Sequence, residues 1–570
     1  MSGKNIIKGV LVSGVFLFFG LFLYANTASN PGILSGLVFF PWRHNTNGGT
    51  TIVTPATIGP KINHYFMGAT LMGAIPVFDQ QTGFVDLWKA SGVHSYNSDL
   101  LSSLNWAHWE KPGLGILMSE LIAAGNNDNT EMTNIATKSA AVTWKHWDRF
   151  TAFMQAFGTD AKVYTLGNIR TQKAGGGSIA ILPTDDASNQ IAITENVGMI
   201  ADAKAKGLNV DKWLAGVELS DKKVRPALNN DPQTYITRAK AVSLGVKSAH
   251  PDVKIVVGLL NPQNAAKDLF ITDWNTKVLN SNTGTNKWFD YAGIYMVMDN
   301  EENVEQTCTT GDTTARFDCF KTITHHYTSN IPAKLDARMS AYPGYKMVVN
   351  SWGTDNNGMA SGFSFTSYSV NNTMAQALFT TDFMAGVMKY NGAHNNIVES
   401  MHYLNGVGDN RAAISKYNAT SDDVGNVQKI GTSMVKRTTM HVFELFASLF
   451  DGNHKLLDTT ALTIPSGIDA LDVQLLGAKN ATTNKLTYIV SNWTGQPIAV
   501  QDIKVNNTSI VPAGKTVQSQ SIYGSALSSS YGEKNFTGTF SPITLTALQS
   551  VQNPGGMSVR PYSVTKIVIQ

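Results

Sequence analysis

Four carboxylates follow or interrupt short apolar runs in this chain: Glu218 in WLAGVEL, Asp299 after YAGIYMVM, Asp355 after KMVVNSWGT and Glu399 in NIVESMHY. A carboxyl group held at the end of a buried strand can donate or take up a proton, and two that face each other make a general acid–base pair. Several other side chains are suited to holding a polar ligand. Asn168, Arg170, Tyr295, Asn350 and His402 offer hydrogen bonds, while Trp106, Trp109 and Trp352 offer flat aromatic faces. The run KMVVNSW stands apart, because it ends in Asn350 and Ser351 with no carboxyl group before Trp352. A serine at its ordinary pKa is a weak nucleophile unless a base adjoins it. Each residue also has a plainer reading: a lone carboxylate is commonly a solvated or salt-bridged rim residue, and the Trp106/Trp109 pair commonly packs a core.

Positioning these groups falls to a regular alternation of elements. Between about residues 60 and 405, eight short runs read as buried strands: YFMGATL, GVHSY, KVYTLGN, WLAGVEL, KIVVGLL, YAGIYMVM, KMVVNSW and NIVESMHY. Each is short, apolar and rich in β-branched or aromatic residues, as strands covered on both faces must be. Stretches of helical period lie between them, among them DLWKA, TWKHWDRFTAFMQAF, YITRAKAVSLGVKSAH and TMAQALFTTDFMAGVMKY. Eight βα units predict an α/β fold, a (β/α)8 TIM barrel with insertions, whose functional groups belong at the carboxyl ends of the strands. A doubly wound sheet would show the same alternation, but no glycine-rich phosphate loop follows the first strand.

After Thr438 the texture changes. The helical run MHVFELFASLF leads into LDVQLLGA, KLTYIVSNW, IAVQDIKV, TVQSQSIYG and YSVTKIVIQ, alternating segments that predict an antiparallel β-sandwich. The expected division is an N-terminal signal or anchor over 1–28 and a segment over 29–59 that adds a strand to the sandwich. The barrel then covers 60–435, and the linking helix with the sandwich covers 436–570.

Of the 570 residues, 15% are charged and the net charge is +3, too small to suggest a nucleic-acid partner. Lys4 and Lys8 precede an uncharged run from Gly9 to Ala25, followed by small polar residues. This is the pattern of a secretory signal peptide, with an uncleaved membrane anchor as the competing reading. The expected location is therefore secreted, periplasmic or at the cell surface, with membrane contact only through that segment if it is retained. In an oxidising compartment Cys308 and Cys319 are expected to pair. His325 and His326 lie nearby, but their spacing fits no common zinc pattern, so neither a metal nor another cofactor is expected.

With these motifs in order, the chain resembles the clan-A glycoside hydrolases, in particular their arabinofuranosidase-like and heparanase-like members. FVDLWKASGVHSYNSD resembles their second-strand region, WLAGVEL the fourth-strand Gly-Asn-Glu motif and KMVVNSWG the seventh-strand Thr-Glu-Trp-Gly motif. MHVFELFASLF with its β-rich tail resembles their return from barrel to sandwich. The resemblance implies that Glu218 stands at the acid/base position and Ser351 at the position of the nucleophile. Val217 then stands where the family has an asparagine that bonds the sugar.

Retaining glycoside hydrolysis uses two carboxyl groups about 5 Å apart, so a serine at the second position implies that ordinary retaining chemistry is lost. An inverting arrangement would need carboxyls about 6.5–9.5 Å apart, with Asp355, Asp299 or Glu399 as base. Three readings follow: an exported protein that binds carbohydrate or builds an extracellular structure, possible self-assembly included; a glycosidase with shifted chemistry; and a barrel used only as rigid bulk.

Overall fold

The computed structural model describes residues 56–71, 84–97, 146–167, 184–216, 231–354, 373–404, 430–529 and 543–570, apart from a few positions within them, together with a few short pieces elsewhere. The expected signal or anchor at Gly9–Ala25 lies outside the described residues. Among those described, no helix is long and apolar enough to cross a membrane.

All eight expected strands are present, in the expected order: β2 (Met67–Thr70), β3 (Ser95–Asn97), β4 (Lys162–Leu166), β5 (Asn209–Leu214), β6 (Lys254–Gly258), β7 (Tyr291–Val297), β8 (Lys346–Gly353) and β9 (Val398–Tyr403). They close into one barrel. Every neighbouring pair is parallel, including the closing pair in which Met67 lies beside Met401. The strands are short because each is buried on both faces. One face fills the barrel and the other meets the surrounding helices.

Those helices are α1 (Phe84–Ala90), α2 (His146–Gln155), α3 (Asp186–Ala205), α4 (Pro232–Ala249), α5 (Leu269–Asn280), α6 (Thr313–Ser329), α7 (Ile331–Ala341) and α8 (Met374–Ala393). Several begin where an Asp or Thr side chain can take up an orphan N–H of the first turn. Asp185 accepts from Ser188, Asp231 from Gln233, Asp312 from Ala315 and Thr373 from Gln376.

Helix α8 is buried along nearly its whole length and lacks a polar face. It needs none, because it runs between the barrel wall and an antiparallel sheet. That sheet takes its edge from β1 (Thr57–Lys61), which pairs with His454–Leu457, and continues through Val473–Asn480, Leu486–Asn492, Ser563–Ile569 and Val517–Tyr523. Period-two alternation divides the sheet's side chains. Leu476, Ile489 and Val564 join the barrel core, whereas Leu475, Val490 and Ile567 build a second core on the other face. Gly59 has φ +66° and approaches α8 so closely that a Cβ would lie 2.0 Å from the Gly392 carbonyl oxygen. Helix α9 (Thr438–Phe446) links the two parts and is buried against both.

Cys308 and Cys319 form a disulfide that closes a short loop between β7 and the body of α6. Closing a loop of this length restricts the unfolded chain by about 3 kcal/mol in the chain-entropy account. Reduction of the native protein is expected to lower its denaturation midpoint accordingly, and no thiol should react with a labelling reagent before reduction. A reactive thiol in the unreduced protein would show the bond to be absent.

Candidate functional site

The barrel interior is polar for one made of parallel strands. His402 on β9 is fully buried, with Nε2 3.0 Å from Ser95 Oγ and its ring 5.1 Å from that of Tyr164. Its room comes from Gly68: a Cβ there would sit 2.2 Å from the imidazole Cδ2. Burial, with the Lys212 ammonium as a second cause, lowers the His402 pKa to about 3, so the ring is neutral. Tyr164 is also fully buried, and burial followed by Tyr295 and Tyr235 raises its pKa well above the ordinary value. The phenol therefore keeps its proton and donates to Asn350 Oδ1 at 2.7 Å. That bond orients the amide, and it leaves Asn350 Nδ2 buried without a partner.

A β-bulge decides which way the end of β8 faces. Ile294 pairs with Val349, but Tyr295 pairs with Ser351, so Asn350 is the extra residue on β8. Val349 and Trp352 belong to the outer core, as do Ile294 and Met296. Gly293 approaches both Asn350 and the inner-face residue Val256. Tyr295, two residues on, and its partner Ser351 therefore also face inward. A bulge re-aims side chains in this way, and bulges are frequent beside functional sites.

Polar residues at the carboxyl ends of β2, β3 and β8, namely Thr70, Asn97, Asn350 and Ser351, form a polar floor at that end of the barrel. Asn97 Nδ2 donates to Thr70 Oγ1 at 3.2 Å, leaving Asn97 Oδ1 without a partner. Ser351 Oγ likewise has none. Asn97, Asn350 and Ser351 are each less than a tenth exposed. A buried polar atom left unpaired costs about 1–3 kcal/mol, so three near the carboxyl ends of β3 and β8 suit a ligand that brings hydroxyl groups. Among the residues whose side chains are described, no carboxylate lies within the last residues of a barrel strand; Asp299, whose side chain is not described, follows β7 by two residues. Glu301 and Glu302, soon after β7, are held by Lys334 and by Arg338, whose Nη2 lies 2.9 Å from Glu301.

Three expected positions are corrected. Glu399 is the second residue of β9 and so lies at the opposite, amino end of the barrel, where it pairs with Lys346 at 2.9 Å. His402 fills the interior instead of lining the mouth. Trp352 points outward: it stacks on Phe383 of α8 at 4.8 Å and 13° and meets Tyr403 edge-on at 5.0 Å. Asn350, Ser351 and Tyr295 do come together. Glu218, Val217, Asp355, Asn168, Arg170, Trp106 and Trp109, and the side chain of Asp299, lie outside the described residues. Sequence reasoning did not single out Asn97, Ser95, Gly68 or Tyr164. For Asn97 a signal existed, since SYN places a polar residue at a strand's end.

No protein-family model and no curated protein matches the sequence. Solved structures do match the fold. The GH51 arabinofuranosidase from Xanthomonas axonopodis pv. citri aligns with TM-score 0.56 at 14% identity, over 90% of this chain and 98% of that one. A family 51 alpha-L-arabinofuranosidase from Bifidobacterium longum aligns with TM-score 0.57 at 13% identity, over the same shares. A conserved exported protein from Bacteroides fragilis gives 0.51 at 9%, over 90% and 98%. The fold is therefore the one seen in these two family 51 arabinofuranosidases: a closed eight-stranded parallel barrel joined to an antiparallel sheet domain.

Proposed function

We propose that this chain is an exported carbohydrate-binding barrel of the glycoside hydrolase fold that does not carry out standard retaining hydrolysis. The observation that carries this reading is the polar floor at the carboxyl end of the barrel. There Asn97 Oδ1, Asn350 Nδ2 and Ser351 Oγ are buried and unpaired, and Ser351 occupies the place that the motif resemblance gives to the nucleophile. A hydroxyl group there carries no charge to stabilise an oxocarbenium-like transition state and cannot capture the sugar as a carboxylate does. The disulfide and the exported neighbour support a location outside the cytoplasm.

The test pairs binding with turnover, beginning with L-arabinofuranosides because two structural neighbours are named for that sugar. Aryl glycosides are expected to turn over at background rates, unchanged by Glu218→Gln. Oligosaccharide binding measured by calorimetry is expected to weaken about tenfold in Asn350→Ala, the loss of one buried hydrogen bond. Turnover at enzyme rates that Glu218→Gln abolishes would overturn the proposal. It would assign Glu218 as general acid, with Asp355 or Asp299 as the second carboxylate.

A further inference from the structure

At the amino end of the barrel, opposite Asn350 and Ser351, three donor side chains converge from three successive connections. His64 precedes β2, His94 precedes β3 and Asp160 precedes β4. His64 Nε2 is 2.9 Å from Asp160 Oδ1, and His94 Nδ1 is 3.4 Å from Asp160 Oδ2 and 3.0 Å from the Asp160 carbonyl oxygen. The two imidazole rings lie 3.9 Å apart, tilted by 31°. One donor atom from each of the three residues lies within 4.8 Å of the others. The other nitrogen of His64, Nδ1, is in close contact with the carbonyl of Phe450, just past α9.

We propose that His64, His94 and Asp160 form a binding site for a divalent cation of the Zn2+ class. Two imidazoles and one carboxylate are a donor set that zinc accepts, with water completing four-coordination. Donors at about 2.1 Å from a tetrahedral ion stand about 3.4 Å from one another; His94 Nδ1 and Asp160 Oδ2 are 3.4 Å apart, and His64 Nε2 and Asp160 Oδ1, at 2.9 Å, need only a small opening. The Asp160 side chain is 65% exposed, so it is free to adjust as the set closes. The Phe450 carbonyl plays the outer-sphere part usual at such sites. By accepting a hydrogen bond from Nδ1–H it sets the tautomer and turns the Nε2 lone pair towards Asp160. Lys162, two residues beyond Asp160, is engaged elsewhere, with Asp211 and the ring of Tyr65. An ion here would tie the starts of three barrel strands to the segment that follows α9, a clamp on the closed end of the barrel separate from the carbohydrate face. It carries no implication for the reaction.

The test uses untagged, full-length protein stripped with a chelator and titrated with zinc chloride, with magnesium chloride as control. The expected result is one ion per chain, a rise in the thermal midpoint of several degrees with zinc, and no rise with magnesium. Asp160→Asn, at an exposed position that tolerates exchange, is expected to weaken zinc binding at least tenfold, and His94→Ala to remove it. If His94→Ala does not fold, Asp160→Asn decides. No midpoint shift up to about 1 mM zinc, an equal shift with magnesium, or unchanged affinity in Asp160→Asn would overturn the site. Each of these outcomes is independent of whether the chain binds sugar.

Discussion

Replacing Asp382 by alanine is expected to destabilise the protein by about 3–5 kcal/mol, read as a lower denaturant midpoint at constant slope. Asp382 lies in the middle of α8, 3% exposed, between the barrel and the sheet. One carboxyl oxygen accepts from Ser491 and the other from Trp493 Nε1 at 2.7 Å, both on or beside the strand Leu486–Asn492. Removing the carboxyl group leaves two buried donors unpaired, at about 1–3 kcal/mol each, and breaks the polar link between the two halves.

Burial raises the Asp382 pKa to about 7, against the pull of Ser491, Trp493 and Lys389. The folded state therefore binds this proton more tightly than the unfolded chain, whose aspartate titrates near 4. Stability from this group is fully present below about pH 4 and falls through the interval up to about pH 7, with a slope of at most about 1.4 kcal/mol per pH unit. Asp382→Asn has the shape of the neutral acid, with an amide to donate to Ser491 and an oxygen to accept from Trp493. It is expected to fold like the parent at low pH and to lose the decline between pH 4 and 7. A decline that persists in the Asn variant would assign it to another group.

The second large effect is expected at Trp352. Trp352→Ala should cost about 3–5 kcal/mol, the usual range for emptying a buried indole site. The ring is fully buried against Phe383, Tyr403 and Phe443, in the seam where barrel, α8 and α9 meet. Trp352→Phe should recover most of the loss. Since the side chain points away from the barrel interior, the folded fraction of either variant should bind oligosaccharide as the parent does. A Trp352→Ala protein of normal stability but without sugar affinity would put the indole in the binding face instead.

The eight strands, their order and the change to a sandwich were legible because their signals are local. A parallel strand buried on both faces must be short and continuously apolar, and KIVVGLL or YAGIYMVM can be little else between helical runs. The pairing of Cys308 with Cys319 followed from proximity in the chain.

The site was legible only in part. Asn350 and Ser351 were picked out by the odd end of KMVVNSW, but the bulge that turns both inward is a register shift against β7. Register is a property of two strands that no single strand encodes. Glu399 and His402 sit three residues apart on one strand, yet one closes the amino end with Lys346 and the other fills the interior beside Ser95, 307 residues earlier in the chain. His64, His94 and Asp160 carry no spacing motif at all. The sequence by itself determined which segments are strands and helices, and that a serine, not a carboxylate, stands immediately before Trp352. The tertiary structure alone decided which polar groups face one another, because barrel closure brings together residues whose separation in the chain bears no relation to their distance in space.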